Sequence, residues 1–315
     1  MMEAQQVEPE VVIEAQAEAA SEGPSEKQIA QENSGELAWA TLILALFVIL
    51  AFIAITLMVL LGLLPIAVGV FFNTILIYWA FTPLHEASHG NIAGRHKRWR
   101  WLETAVGWAT GIMLLVPFPA FREIHLQHHS FTNNPEKDPD FSARGPSFRA
   151  AFKGIASVPL HYFRTMKEHA DAGRPGAARN LRLGYLFELL PLAIAFAPFP
   201  VGPIRRVALM WSLSSICAFI LLATVFDWLP HHPHQARGRY VDTRATLFPG
   251  SGWLLLGQDV HIIHHLYPRI PFYRYKRVFN EIRAGIEGKG VKVEQWGFAE
   301  AISKIFGTPE SAAAA

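Results

Sequence analysis

The sequence holds a single cysteine, Cys217, in 315 residues. That excludes an intrachain disulfide, a thiolate zinc site and a cysteine-held iron–sulfur cluster, so any metal must be bound through nitrogen or oxygen. Charge is scarce as well, at 17% beside 51% hydrophobic residues, a balance too apolar for an average soluble domain. From Leu37 to Leu84 no residue is charged, and only Gly62 and Pro65 interrupt the run near its middle. One bilayer crossing takes roughly 20 residues, so this run predicts two spans and a tight turn. A second pair is predicted over 183–202, which carries Glu188 and several prolines, and over 207–226, which is unbroken. The expected fold is an all-α integral membrane protein with four spans arranged as two hairpins.

The first 36 residues lack aromatics and set nine Glu against one Lys, the composition of a solvated acidic tail. They have neither the basic start of a signal peptide nor the acid-poor character of a transit peptide. The expected organisation is a disordered tail over 1–36, a membrane domain over 37–307 and a short disordered tail over 308–315. Without the first 36 residues the net charge rises from +2 to +10. The basic excess gathers in "RHKRWR" (95–100) and in 269–292, which the positive-inside tendency places in the cytoplasm together with both termini. Within that region "RVFNEIRAGIEG" has Val278, Phe279, Ile282 and Ile286 at helical spacing and predicts a helix packed on the same face.

Against these absences stand 14 histidines, eight of them in three short boxes. "HEASH" gives His85 and His89, with Thr82 and Pro83 expected to start the helix that carries them. "HLQHH" gives His125, His128 and His129, and "HIIHH" gives His261, His264 and His265, with Pro268 ending its helix. At i, i+3 or i, i+4 spacing each box sets its imidazoles within one sector of a helix. The segment 101–121 would separate the first two boxes if it crossed the bilayer. Its Glu103, two glycines and two prolines predict an interfacial or half-inserted element instead, which leaves all the boxes on the cytoplasmic side. Chance pairing of surface histidines explains one box; it does not explain three on one side. Eight imidazoles exceed the four ligands usual for zinc, so the count points to two ions, and imidazole alone does not choose among iron, zinc and copper.

"HEASH" also satisfies H-E-x-x-H, the zinc protease signature in which Glu86 would be the general base. That alternative leaves the other six histidines without a role, and no carboxylate motif in the last spans supplies a third ligand. A metal transporter would want polar residues at mid-depth, where the first run has only Thr, Asn and Tyr.

"HEASHGN", "HLQHHSFTNNPEKDPD" and "GQDVHIIHHLYPRIPFY" resemble the three histidine boxes of the membrane fatty acid desaturase superfamily. With "FDWLPHHPHQ", the text around the boxes is most similar to the beta-carotene ring hydroxylases of that superfamily. The likeness runs from about residue 70 to 280. It implies a non-haem di-iron centre that activates O2 with two external electrons. Carried over by position, the ligands would be His85, His89, His125, His128, His129, His261, His264 and His265. A further ligand would be His231, with His232 and His234 as rivals. Asp227 stands where relatives carry an asparagine that touches metal through water, and a carboxylate there could bind more tightly or orient a water. No catalytic residue beyond the metal ligands is implied.

Ligand imidazoles must be neutral, each with its remote N–H held by a partner. Asp138, Asp140, Asp259 and Glu86 are the expected partners, and His96, His161 and His169 are expected at the interface without a metal role. No flavin, haem or iron–sulfur motif is present, so electrons must come from a separate ferredoxin-like or cytochrome-like protein, steered by Arg95, Lys97, Arg98 and Arg100. The substrate is expected to lie in the bilayer: a carotenoid whose end ring is hydroxylated or, as the alternative, a fatty acyl chain that is desaturated. The expected setting is a bacterial cytoplasmic membrane, with no nucleic acid among the partners.

Overall fold

The computed structural model describes residues 24–198 and 201–306, so most of the expected N-terminal tail and the whole of the C-terminal one lie outside the described residues. Helix α1 (Glu26–Glu32) falls within the segment expected to be a solvated tail. It is capped by Ser25 and Gln28 and buries Ile29 and Ala30. Averaged over 36 residues, the acidic composition hides these two apolar positions.

Helix α2 (Trp39–Leu60) and helix α3 (Ile66–His89) follow, joined by a turn in which Gly62 takes a positive φ of 76°. Nothing along α2 is charged, and it leaves Ile43, Leu46, Leu50 and Leu57 exposed on its outer face. That is the surface of a helix solvated by lipid. Pro83 lies inside α3 and does not start a new helix at Thr82. The missing N–H costs α3 one internal bond, a loss that helices packed along a membrane span tolerate. Gly90, in the left-handed conformation, ends α3 one residue after His89.

Helix α4 (Trp101–Met113) and helix α5 (Phe118–Phe131) meet at an angle of 95°. The bend depends on glycine. A Cβ on Gly107 would sit 2.5 Å from the Phe118 ring, and one on Gly111 would sit 2.6 Å from the Val116 carbonyl oxygen. Helices α6 (Phe148–Asp171) and α7 (Ala177–Ala195) are tied to α5 by Glu123, which pairs with His169 Nδ1 at 2.5 Å and accepts from Asn180 at 2.9 Å. Helix α8 (Pro203–Leu222) packs along α3 and runs on through a wider, π-helical turn at Ala223–Trp228 to His231.

Among the described residues three helical stretches are long and apolar enough to cross a membrane: Trp39–Leu60, Ile66–His89 and Pro203–His231. A fourth crossing arises only if the bent α4–α5 pair counts as one. The segment expected as the third span, 183–202, overlaps α7, which ends at Ala195 and is not among the three; Arg179, Arg182 and Glu188 lie along that helix.

The remaining chain forms the short helix α9 (His261–Leu266) and helix α10 (Tyr275–Gly288), with α11 (Phe298–Phe306) at the end. Helix α10 buries Tyr275, Val278, Phe279, Ile282 and Ile286, as its spacing predicts. These side chains share one core with Ile262, Ile263 and Ile29, so α1 and α10 together back the third histidine box. The all-α expectation needs one amendment. Strands β1 (Arg244–Leu247) and β2 (Lys292–Gln295) pair in parallel, with Arg244 opposite Lys292. Four-residue strands give almost no periodicity, and this pair is fixed by contacts such as the 2.6 Å Arg244–Glu294 ion pair.

Candidate metal centre

Four elements bring the boxes together. His85 and His89 occupy the last turns of α3, His125, His128 and His129 the second half of α5, and His261, His264 and His265 helix α9. His231 ends the helix that continues α8. The α4–α5 bend returns the chain to the end of α3, so His89 Nε2 and His125 Nε2 lie 2.8 Å apart. The segment 97–131 therefore does not carry the second box away from the first.

Two adjoining groups result. In one, ring nitrogens of His85, His89, His125, His129 and His264 all lie within 4.8 Å of one another; in the other, those of His128, His231 and His265 do. His129 Nε2 is 3.1 Å from His125 Nε2 and 2.8 Å from His264 Nε2. His261 joins the second group, its Nε2 3.1 Å from that of His265. The groups touch where the rings of His129 and His265 stack at 4.3 Å.

The outward-facing nitrogens set the protonation. His128 Nδ1 lies 2.9 Å from Asp138 Oδ1 and 3.2 Å from Asp140 Oδ2, and His231 Nδ1 lies 3.1 Å from the Asp242 carbonyl oxygen. His261 Nδ1 meets the side-chain oxygen of Gln258, and His264 Nδ1 is 3.0 Å from the Tyr275 hydroxyl. With Nδ1 donating to such acceptors, Nε2 keeps its lone pair and points inward. His85 Nε2 and His231 Nε2 are buried without a hydrogen-bond partner. Inward lone pairs facing one another at about 3 Å repel unless a cation stands among them. Neutral nitrogen donors suit iron, zinc or copper, so these residues fit the di-iron centre implied by the resemblance. Burial pushes His261 down to about 3 and holds His264 and His265 well below the ordinary histidine range, in keeping with neutral ligands. At His128 the effect of burial is outweighed by Asp138 and Asp140, which raise it to about 9, so this ring gives up a proton when it binds metal.

The carboxylates divide. Asp138 orients His128 and is itself fixed by the backbone N–H groups of Asn133 and Asp140, at 2.7 and 3.0 Å. Asp140 accepts from Tyr162 at 2.6 Å, and burial raises its carboxyl to about 6 although His128 opposes the shift. Asp227 is buried, lies 3.5 Å from His234 Nε2, and leaves Oδ2 without a partner. Asp259 is a correction to the expected partners. Its carboxylate accepts from Ser251 at 2.8 Å and Lys276 at 3.2 Å and orients no box imidazole. Two residues of separation on a helix turn a side chain about 200° away, and Gln258, three residues before His261, takes the role instead.

Glu86 is the second correction. It faces away from the histidines, accepting from the Thr41 hydroxyl and, at 2.5 Å, from the Phe272 N–H. In H-E-x-x-H the glutamate follows a ligand by one residue, about 100° around the helix, and here that direction is filled by α2 and the Phe272 loop. Glu86 thus ties three parts of the chain together and has no access to a bound water as a protease base. Glu86→Leu is expected to strand the half-buried Phe272 N–H and the Thr41 hydroxyl, cost about 1–3 kcal/mol and lower the melting temperature in detergent with metal content kept. Loss of metal in a variant that still folds would contradict this role.

His232 turns away, its Nδ1 2.8 Å from the Gly145 carbonyl oxygen, and His234 reaches only Asp227. His96 and His161 are exposed, while His169 is buried against Glu123. Sequence reasoning missed Gln258, Tyr275 and the Asp242 carbonyl. Only Gln258 carried a signal, its place one turn before a box histidine.

A cavity of about 120 Å³ opens on the membrane-helix side of the histidines. His85, His125, His128, His261 and Asp227 form its polar end. Phe81, Phe121 and Phe226 pack around His85 and His125, making the rest of the wall apolar.

The family model described as Fatty acid desaturase matches residues 61–296 of this chain. An sn-1 oleoyl-lipid 12-desaturase of Picosynechococcus is 26% identical over 231 residues, covering 63% of each protein. A zeaxanthin 4-ketolase of Chlamydomonas reinhardtii is 24% identical over 65% of this chain and 42% of its own length. A beta-carotene ketolase of Paracoccus is also 24% identical, over 62% of this chain and 72% of its own. Most of the curated relatives it resembles are matched over about half to two thirds of their length.

Proposed function

The chain belongs to the fatty acid desaturase family, and on that premise we propose that it is a membrane-bound, O2-dependent oxidoreductase with two non-haem irons, acting on a C–H bond of a lipid. The observation that carries this reading is the pair of adjoining imidazole groups with inward lone pairs, set at the end of an apolar cavity. His85, His89, His125, His129 and His264 would hold one ion, and His128, His231, His261 and His265 the other. Two irons so held would supply activation of O2 with two electrons from outside. Tyr162, Asp140 and Asp138 hold the His128 ring in place, and Phe81, Phe121 and Phe226 keep bulk water from the substrate end. The partnerless Oδ2 of Asp227 lines the same cavity, where it can hold a water or a proton beside the substrate.

Hydroxylation of a carotenoid ring is the first reading of the reaction. It is supported by the text around the boxes and by the likeness to two carotenoid ketolases. Desaturation of an acyl chain is the second, supported by the likeness to the Picosynechococcus desaturase. The exposed Arg95, Lys97, Arg98 and Arg100 would steer an acidic ferredoxin-like or cytochrome-like donor, with this face and both termini in the bacterial cytoplasm.

The test is incubation of iron-loaded protein with beta-carotene and with an oleoyl lipid, under 18O2 with ferredoxin, its reductase and NADPH. One 18O atom in recovered carotenoid is the expected result. Loss of two hydrogens from the oleoyl chain would replace hydroxylation by desaturation, and unchanged lipid in both reactions would overturn the proposal.

A further inference from the structure

A second cavity, of about 320 Å³, continues from the first between α6, α7, α8 and the α4–α5 bend. The two share Leu114, Val116, Tyr162, Ser215 and Phe219 as walls, so a molecule can extend from the histidines into this outer chamber. The chamber is mostly apolar, and two of its polar side chains have no partner. Glu188 of α7 lines it, and its carboxyl makes no hydrogen bond or ion pair with any described residue. Ser212 of α8 lines it too; the residue is 4% exposed and its hydroxyl is without a partner. Ser215, beside it, donates to the Met113 carbonyl oxygen at 3.3 Å.

An unpaired carboxyl and an unpaired hydroxyl in an apolar chamber are costly, and a hydrocarbon ligand would leave both unmet. A ligand hydroxyl is the group that suits either, since it can donate to the carboxyl and accept from the serine. We infer that the outer chamber is a recognition subsite for a lipid that carries a hydroxyl group away from its reacting end, with Glu188 and Ser212 as its partners. This rests on the lipid-oxidising reading above and narrows its substrate class: a lipid that already carries a hydroxyl, the product of an earlier hydroxylating reaction, is preferred to its plain counterpart. Glu188 and Ser212 are specificity residues, since neither approaches the histidines.

Binding can be read without turnover. Quenching of tryptophan fluorescence in the full-length, iron-loaded protein in detergent would be titrated with two pairs of probes, beta-carotene against zeaxanthin and oleate against 12-hydroxyoleate. The hydroxylated member of at least one pair is expected to bind about tenfold more tightly, the worth of one or two buried hydrogen bonds. In Glu188→Leu with Ser212→Ala the preference should fall to about twofold while the plain hydrocarbon binds as before, and Ser212→Ala alone should give an intermediate loss. Equal affinity within both pairs, or a preference that survives the double variant, would overturn the subsite. Iron analysis of the same samples separates the two claims. A folded protein that takes no iron defeats the oxidoreductase reading, whereas intact iron with no hydroxyl preference defeats the subsite alone.

Discussion

His128→Ala is expected to cost the protein its metal. The ring lies in the group with His231 and His265, and its Nδ1 is gripped by Asp138 and Asp140 within 3.2 Å. Removing it takes away a nitrogen donor and also leaves two buried carboxylates without their partner. Metal analysis should find about two irons per wild-type chain and one or none in the variant, with oxidising activity lost. Asp138→Asn is the graded companion. The amide keeps only one oxygen, so facing His128 it still accepts from the Asp140 N–H but gives up the Asn133 N–H, and it is a weaker acceptor for the imidazole N–H; metal affinity should fall about 10–100-fold, with some loss of melting temperature. A wild-type protein that binds a single zinc, kept in His128→Ala, would sink the two-iron reading.

The second large effect is loss of the centre in acid. His261, His264 and His265 are held neutral in the folded protein, His261 down to about 3, and regain an ordinary value of about 6.5 once released. The released state therefore binds more protons between these values, so stability rises with pH through that window. The contribution is fully present above about 6.5 and is lost as pH falls toward 3. Several such groups act together, which makes the loss steep. Asp140 and Asp242 oppose them: burial raises each carboxyl to about 6, so their contributions change the other way, but these two are displaced less than the three imidazoles. Bound iron and the melting temperature followed from pH 8 to 4 should fall together below about 6.5, and a stability that stays flat to pH 4 would contradict neutral, buried ligands.

Legibility in the sequence followed the range of the interaction. The helical spacing of Val278, Phe279, Ile282 and Ile286 is local, and α10 buries those positions. So is the grouping of imidazoles within each box, which is why the residues that converge could be named before any fold was known. The partners of the imidazoles were less legible, because a hydrogen bond across the fold leaves no mark on spacing. Asp138 is 10 residues from His128 in sequence, yet what fixes it is a turn set by Asn133, Asn134 and Asp140. Glu86 is adjacent to His85 in sequence and points elsewhere in space.

The sequence by itself therefore determined the class of metal donor, the apolar character of α2 and α3, and the family, since each depends on residue type and local period. Only the tertiary structure decided which of His231, His232 and His234 joins the centre. The π-helical turn at Ala223–Trp228 and the Asp242 carbonyl aim His231 inward, while Gly145 draws His232 away. It also decided that α4 and α5 turn back on each other, through close approaches at Gly107 and Gly111 that a Cβ would block. Direction in space comes from packing among distant segments, and a one-dimensional pattern carries the period of a side chain without its aim.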